Sequence, residues 1–402
     1  MGHIYVIGKT GVGKSTLLLN MAVSDMQTGK GLCIIDPHGD LAETILDHVP
    51  QERIDDVIYF NPQDTELPIA FNPLHAIHSN FHHLVASGLI STFKKIWAES
   101  WGPRLEYILR MALLTLLEYP HATLLDIQPL LTDTYFRNKV LMYSSNEAVH
   151  AFWVNEFDKY PPQLKAEAIS PILNKMGIFI ASAPLKNILG HRVRSVHIQD
   201  VMDSGKILIV NLSKGAIGED AATILGSIVV SSIQLAALYR STIPEEARRP
   251  FYLYVDEVHS FVSTSFADIL AEARKYKLSL FLTHQYIEQL PETIRAAIFG
   301  NVGTFIAFRV GAADAAYIAK EFDPVFSEAD MISLPRFHMY LKLMIDGATS
   351  VPFSATTLPL IATPTNLKQI VIKRSQIRYG RPVIEREHIN EKPAQPNRLF
   401  EL

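Results

Sequence analysis

Short apolar runs closed by glycine, asparagine or acidic residues recur along the chain and alternate with stretches of helical periodicity. HIYVIG (3–8) is the first such run and reads as a strand entering a glycine loop. Helical spacing follows from Lys14 to about Gln27, Gly29 to Gly31 make a turn, and LCIID (32–36) reads as a second strand. Strand, helix and strand in this order imply parallel pairing through a crossover. VIYFNP (57–62) is a third candidate, and KILIVNL (206–212), FYLYVDE (251–257), LSLFLTHQ (278–285) and VGTFIAF (302–308) are further ones, with helices between them. YLKLMI and ATSVPF flank Asp346-Gly347 and predict a hairpin (340–353).

From about His75 to Leu189 the pattern changes. Leu105, Ile108, Leu109, Ala112 and Leu116 fall at helical spacing, and further helical stretches run from about 138 to 157 and 163 to 180. No strand pattern interrupts them, which predicts an all-helical insertion. Trp97 and Trp101 stand i, i+4, as on one helix face turned to the core. The expected organisation is a discontinuous α/β domain over 1–75 and 190–360, an all-α insertion over 76–189, and a Pro-rich, charged C-terminal extension over 361–402. The most apolar helical stretch is ATILGSIVVSSIQLAAL (222–238). A membrane-spanning helix needs about 20 apolar residues. This stretch carries Thr, Ser and Gln and follows Gly218, Glu219 and Asp220, so it reads as a buried helix, and no membrane segment is expected.

The 402 residues carry a formal charge of −4, which excludes a generic polycation and leaves nucleic-acid binding to local patches. The single cysteine, Cys33 in LCII, forms no disulfide within the chain, suits a reducing cytoplasmic setting and reads as inert core packing.

GKTGVGKS (8–15) matches G-x-x-x-x-G-K-[ST] in full, with an apolar strand leading in and a helix leading out. Gly8, Gly11 and Gly13 let the main chain of Lys9, Thr10 and Val12 wrap so that N–H groups point at phosphate oxygens. The helix N-terminus adds a favourable field for anions. Lys14 is expected to reach the β- and γ-phosphates, Ser15 to hold Mg²⁺ and Thr16 to meet the α-phosphate. The ligands implied are ATP and Mg²⁺. Asp256 and Glu257 close FYLYVDE at the strand end where open α/β sheets bind ligands. Asp256 is expected to hold Mg²⁺ through water and Glu257 to polarise the attacking water. Alone this is a weak motif; beside the phosphate loop it reads as catalytic.

Gln285 ends the next strand. Its amide can donate to phosphate and accept from water, which makes it a candidate sensor of the nucleotide; a strand-end amide satisfied by backbone is the bland alternative. Arg274 precedes LSLFL and so approaches the opposite end of the sheet, away from its own pocket. In a ring it would reach the next subunit's pocket as an arginine finger, a role that supplies about 10³–10⁵ in rate. On spacing alone, a solvated cation beside Lys275 and Lys277 is an equal reading. Arg309, after VGTFIAF, is a second candidate nucleotide contact.

GKTGVGKS, IIDPHGD (34–40), FYLYVDEVHSF (251–261) and EARKYKLSLFLTHQ (272–285) resemble the motifs of the HerA/FtsK superfamily of hexameric DNA-translocating ATPases, and most of all the type IV secretion coupling proteins of the TraG/TraD kind. A helical domain inserted between the phosphate loop and the Asp-Glu strand is also characteristic of those proteins. The likeness covers about residues 1 to 360. It implies a RecA-like P-loop core with a mainly parallel sheet plus the inserted all-α domain, assembled as a hexameric ring. The family's finger arginine and sensor glutamine fall on Arg274 and Gln285, and Asp36 ends a strand near the pocket. The implied partners are DNA, gripped by its phosphates, and relaxase or secretion-channel proteins. Because the first strand starts at residue 3, neither the membrane helices usual in coupling proteins nor the β-barrel domain of HerA proteins is expected, and any place at the inner face of the membrane would come through partners. A HerA-type motor working with a nuclease, and an ATP-driven assembly switch that moves no DNA, stay open as alternatives.

Candidate phosphate-contacting cations are Lys94, Lys95, Arg104 and Arg110 in the insertion, Arg192 and Arg194 just beyond it, and Lys368, Lys373, Arg374, Arg378 and Arg381 near the C-terminus; for any one cluster a solvated face is the commoner explanation. His78, His82 and His83 lack a cysteine partner or a matching second His pair and read as surface or core histidines. The phosphate-loop reading predicts that Lys14→Ala abolishes nucleotide binding, measured by titration with a fluorescent ATP analogue.

Overall fold

The computed structural model describes residues 2–75, 78–192 and 196–382, so Arg194 and residues 383–402 lie outside the described residues. The strands are β1 (Ile4–Ile7), β2 (Gly31–Asp36), β3 (Val57–Phe60), β4 (Ile207–Asn211), β5 (Phe251–Val255), β6 (Leu278–His284), β7 (Thr304–Ala307), β8 (His338–Lys342), β9 (Met344–Ile345), β10 (Ala348–Thr349) and β11 (Phe353–Thr356). Nine form one sheet in the order β11-β8-β7-β1-β6-β5-β2-β4-β3. From β7 to β3 every pairing is parallel, and β8 and β11 add an antiparallel edge. Asp346 and Gly347 turn between the short strands β9 and β10 with φ angles of 48° and 83°, the left-handed values a tight hairpin needs.

Among the helices are α1 (Lys14–Gln27), α2 (Asp40–Leu46), α3 (His82–Ile96), α4 (Pro103–Glu118), α5 (Pro162–Ala181), α6 (Glu219–Tyr239) and α7 (Lys368–Tyr379). Two apolar cores cover the two faces of the sheet. Along β2, Leu32 and Ile34 enter one core with Leu18 and Ala22 of α1, while Cys33 and Ile35 enter the other with Ile228 of α6. Burial pushes the Cys33 thiol up, as inert packing requires. α6 is long and apolar enough to cross a membrane, yet 78% of its most apolar window is buried inside the fold. α3 lies against it so closely that a Cβ on Gly88 would meet the Ser231 hydroxyl at 2.9 Å. Among the described residues, no strand occurs between β3 and β4; helices fill that stretch and extend the second core through Ile108, Leu109 and Leu116.

Two local expectations need correction. Trp97 and Trp101 do not share a helix: α3 ends at Ile96, Trp97 caps it, and Pro103 restarts the chain at the first position of α4. Both rings still pack against the core. The helical stretch over 138–157 breaks after Leu141, and the Asn146 side chain accepts N–H bonds from Ala148 and Val149 to start the next helix. The segment after Asn366 is a helix, α7, that docks on β3 at the sheet edge. There Val371 and Ser375 are buried, and the Ser375 hydroxyl accepts from the Tyr59 N–H at 2.8 Å.

The amino-terminal ends of the strands are tied together by guanidinium groups. Arg53 donates to the carbonyls of Met26, Lys30 and Gly205, and Arg249 to those of Ser204 and Gly29. Arg240, fully buried, donates to the Asp203 carboxylate at 2.8 Å and to the carbonyls of Arg249 and Tyr276 at 2.8 and 3.1 Å. Removing one partner of a buried charge cluster costs about 3–5 kcal/mol. Arg240→Ala is therefore expected to lose about 3 kcal/mol of stability in chemical denaturation; a loss under about 0.5 kcal/mol, the scale of an ordinary surface change, contradicts this role.

Candidate nucleotide-binding site

The strand order sets β7, β1, β6, β5 and β2 side by side and parallel, so the loops leaving their carboxyl ends lie along one edge of the sheet, where open α/β sheets bind ligands. Residues 8–13 follow β1 and are pinned at both sides: Gly8 N–H donates to the His284 carbonyl at 3.2 Å and Lys9 N–H to the Arg309 carbonyl at 2.9 Å. A Cβ on Gly8 would sit 2.6 Å from the Phe308 Cβ, which backbone neighbours cannot relieve. Gly13 caps α1 with φ 118° and offers no side-chain cap, so the first N–H groups of the helix are left for an anion. The Lys14 ammonium is buried and donates to the carbonyls of Gly8 at 2.6 Å and Lys9 at 3.0 Å. Burial pulls its pKa down, against the opposing pull of Glu257 and Asp256. A buried cation resting on two carbonyls of its own loop fits a site built for phosphate. Ser15 is exposed beside it and Thr16 half-buried.

Asp256 and Glu257 leave β5 on the other side of β6. The Asp256 carboxylate accepts from the Thr283 hydroxyl of β6 and from Glu257 N–H at 3.2 Å. Glu257 holds φ 50°, the left-handed region that a non-glycine residue enters at a cost, and such strain concentrates at functional sites. Its carboxylate is buried, which raises its pKa above the ordinary value despite the Gln285 amide and Lys14. Gln285 joins the two halves: its amide N–H donates to Glu257 Oε1, and its carbonyl oxygen accepts from the Thr10 hydroxyl at 2.9 Å. Lys14, Asp256, Glu257 and Gln285 are thus brought together. His259 Nδ1 lies 3.6 Å from Glu257 Oε2, but burial, with Lys214 and Lys95 nearby, holds it near a pKa of about 4, so the contact is not an ion pair at neutral pH.

The other candidates divide. Arg309 is half-buried at the end of β7, against the phosphate loop. Asp36 uses its two oxygens on the N–H groups of His38 and Ala42, at 2.8 and 2.9 Å, and so closes the turn after β2. Arg274 is exposed at the amino end of β6, the far end of the sheet, and its guanidinium has no hydrogen-bond or ion-pair partner among the described residues. Of the candidate phosphate-contacting cations, Lys94 and Arg110 pair with Glu106, Arg192 with Asp126, Lys368 with Glu43 and Arg378 with Asp55. Arg381 donates to the Gly380 carbonyl. Arg104, Lys373 and Arg374 are exposed.

Two features escape sequence reading. Lys95 is not an exposed cation: its ammonium donates to the carbonyls of His259 and Ser260, at 3.0 and 2.7 Å, and burial pushes its pKa down to about 7. Helix α3 thereby grips the turn that follows Glu257, a contact across the fold that no local signal carries. Arg336 and Phe337, before β8, bond the phosphate loop through Arg336 Nε to the Gly11 carbonyl and Phe337 N–H to the Val12 carbonyl.

A family model described as the type IV secretion-system coupling protein DNA-binding domain matches residues 1–323. A type 4 coupling protein of Legionella pneumophila, DotL, is 24% identical over 341 residues, covering 70% of this chain and 43% of DotL; the chain thus spans less than half of that relative's length. Solved structures share the fold at low identity. The unbound conjugative coupling protein TrwBΔN70 aligns with TM-score 0.62 and 16% identity over 90% of this chain and 87% of its own. TrwB with ADP and Mg²⁺ gives 0.59 and 16% over 90% and 86%, and VirB4 of Thermoanaerobacter pseudethanolicus 0.57 and 16% over 91% of each.

Because burial raises the Glu257 pKa, stability is lost as the pH rises from the ordinary carboxylate value through that raised value, where the unfolded chain has already given up the proton that the fold retains. Glu257→Gln is therefore expected to raise the Tm of the nucleotide-free protein at pH 7, with the gap closing as the pH falls and the wild-type carboxyl protonates too. A gap that stays constant from about pH 4 to pH 8 contradicts the assignment.

Proposed function

The chain belongs to the family of type IV secretion-system coupling protein DNA-binding domains, and from that premise we propose that it is an ATP-hydrolysing motor that works as a ring, a hexamer by the resemblance of its motifs, and moves DNA toward a secretion channel. The observation that carries the proposal is the Gln285 amide held between Thr10 of the phosphate loop and the Glu257 carboxylate. A group in that place is set to register whether the γ-phosphate is present and to steer the carboxylate that handles the attacking water.

In this reading the loop 8–16 cradles the phosphates by its N–H groups, and the Lys14 ammonium exchanges its two carbonyl partners for phosphate oxygens. Ser15 and Asp256 hold Mg²⁺, which when bound supplies positive charge to the phosphate oxygens. The Glu257 carboxylate accepts a proton from the attacking water, which a raised pKa favours. Arg309 contacts the nucleotide from the end of β7. Arg274 acts on the neighbouring copy's nucleotide; its exposure at the opposite end of the sheet, where Arg53, Arg240 and Arg249 are all engaged with carbonyls, supports a role outside its own chain. The family description supports DNA as the cargo. Relaxase or secretion-channel proteins are the proposed partners, with the protein at the inner face of the membrane through them.

ATP turnover measured with and without single- and double-stranded DNA, at low and high salt, tests the proposal. DNA is expected to stimulate turnover at low salt and less so at high salt, because phosphate contacts weaken as salt rises. No stimulation by either form at low salt would overturn the translocase and favour an assembly switch. Arg274→Ala is expected to keep ATP binding and to lose about 10³-fold in turnover.

A further inference from the structure

Phe337 is the least explained residue near the phosphate loop. Its φ is 66°, in the left-handed region that a bulky side chain rarely enters. The ring remains 47% exposed, so burial does not account for the strained position. The backbone is held there from both sides: Phe337 N–H donates to the Val12 carbonyl at 3.0 Å, and Thr357 N–H donates to the Phe337 carbonyl at 2.7 Å. A Cβ on Gly13 would lie 3.2 Å from the ring and 3.0 Å from the Thr357 hydroxyl. The guanidinium of Arg336 stacks over the Phe337 ring at 5.2 Å, and its Nε donates to the Gly11 carbonyl at 3.2 Å.

The chain beyond Thr357 then runs along the exposed side of α1. The Asn20 amide donates to the carbonyls of Leu358 and Pro359, both at 3.2 Å, and accepts from Ile361 N–H at 3.2 Å. Leu358 is 59% exposed on this segment. A half-exposed aromatic ring and an exposed apolar side chain thus stand at the outer margin of the helix start that would take the phosphates.

We infer that Phe337 is the platform on which the nucleobase stacks, with Arg336 fixing the ring against the phosphate loop. The inference rests on the phosphate-loop reading given above and adds to it the seat of the base. A base offers a π-face whatever its edge, so stacking accounts for an aromatic that is exposed in the free protein and held rigidly by backbone bonds. It also accounts for the strain: the left-handed turn brings the ring beside Gly13.

Calorimetric titration of ATP and of inorganic tripolyphosphate into wild type, Phe337→Gly, Phe337→Leu and Lys14→Ala separates the two readings. Phe337→Gly and Phe337→Leu should weaken ATP binding roughly tenfold and leave tripolyphosphate binding within twofold of wild type. Phe337→Gly should melt no lower than wild type, because glycine takes a positive φ freely, so its loss of affinity is not misfolding. Unchanged ATP affinity in both Phe337 variants would overturn the platform. An equal loss for ATP and tripolyphosphate would also overturn it, since the ring would then only shape the loop. Tripolyphosphate and ATP binding that survive Lys14→Ala unchanged would instead sink the phosphate-loop reading itself, and the platform with it.

Discussion

The fold depends on β6 lying between β1 and β5. Parallel neighbours stand about 4.8 Å apart, so the phosphate loop after β1 and the carboxylates after β5 are two strand spacings from one another. Gln285, at the end of the strand between them, closes that gap with one amide group. Its carbonyl meets Thr10 and its N–H meets Glu257, so a shift on one side is felt on the other. The Glu257 backbone is held in a costly conformation, on the order of 1–3 kcal/mol for such residues, and the fold around it maintains that turn. Thr283 of β6 engages Asp256, and Lys95 of α3 holds the carbonyls of His259 and Ser260. Helix α3 therefore bears directly on the turn that follows Glu257.

The two ends of the sheet are built differently. At the amino ends, arginines are committed to main-chain carbonyls and hold the strands in register. At the carboxyl ends, glycines, first-turn N–H groups and buried carboxylates leave hydrogen-bonding capacity open to a ligand. Arg274 belongs to the first end by position but has none of the commitments of its neighbours. That contrast, with the resemblance of the motifs to those of ring-forming ATPases, underlies the proposal that each site is completed by another copy.

How far the sequence could be read follows from the range of the forces involved. α1 begins at Lys14 and ends at Gln27 as the motif and spacing imply, because a glycine loop and a helix start are local chemistry. The strands of the parallel sheet are legible for the same reason, as is the Asp346-Gly347 turn. The mainly parallel α/β architecture is the one observed. The order of the strands, by contrast, is set by pairing between distant segments. Lys95 reads as a free cation because nothing near it in sequence shows the turn that buries it. α7 presents so few apolar residues to the sheet that its docking is invisible until Val371 and Ser375 are seen against β3. Phe337 gives no signal at all, since an isolated aromatic after a proline and an arginine is unremarkable until its φ angle is known.

The central claim is that one nucleotide is served by two copies of the chain, with Lys14 and Glu257 from one and Arg274 from the next. Mixing Glu257→Gln with Arg274→Ala protein, after confirming by labelled-subunit exchange that the two co-assemble, tests it most directly. The account predicts that the mixture hydrolyses ATP faster than either variant alone, because some seams then join an intact Glu257 to an intact Arg274. Exchange without any regained turnover, at every mixing ratio, would contradict it.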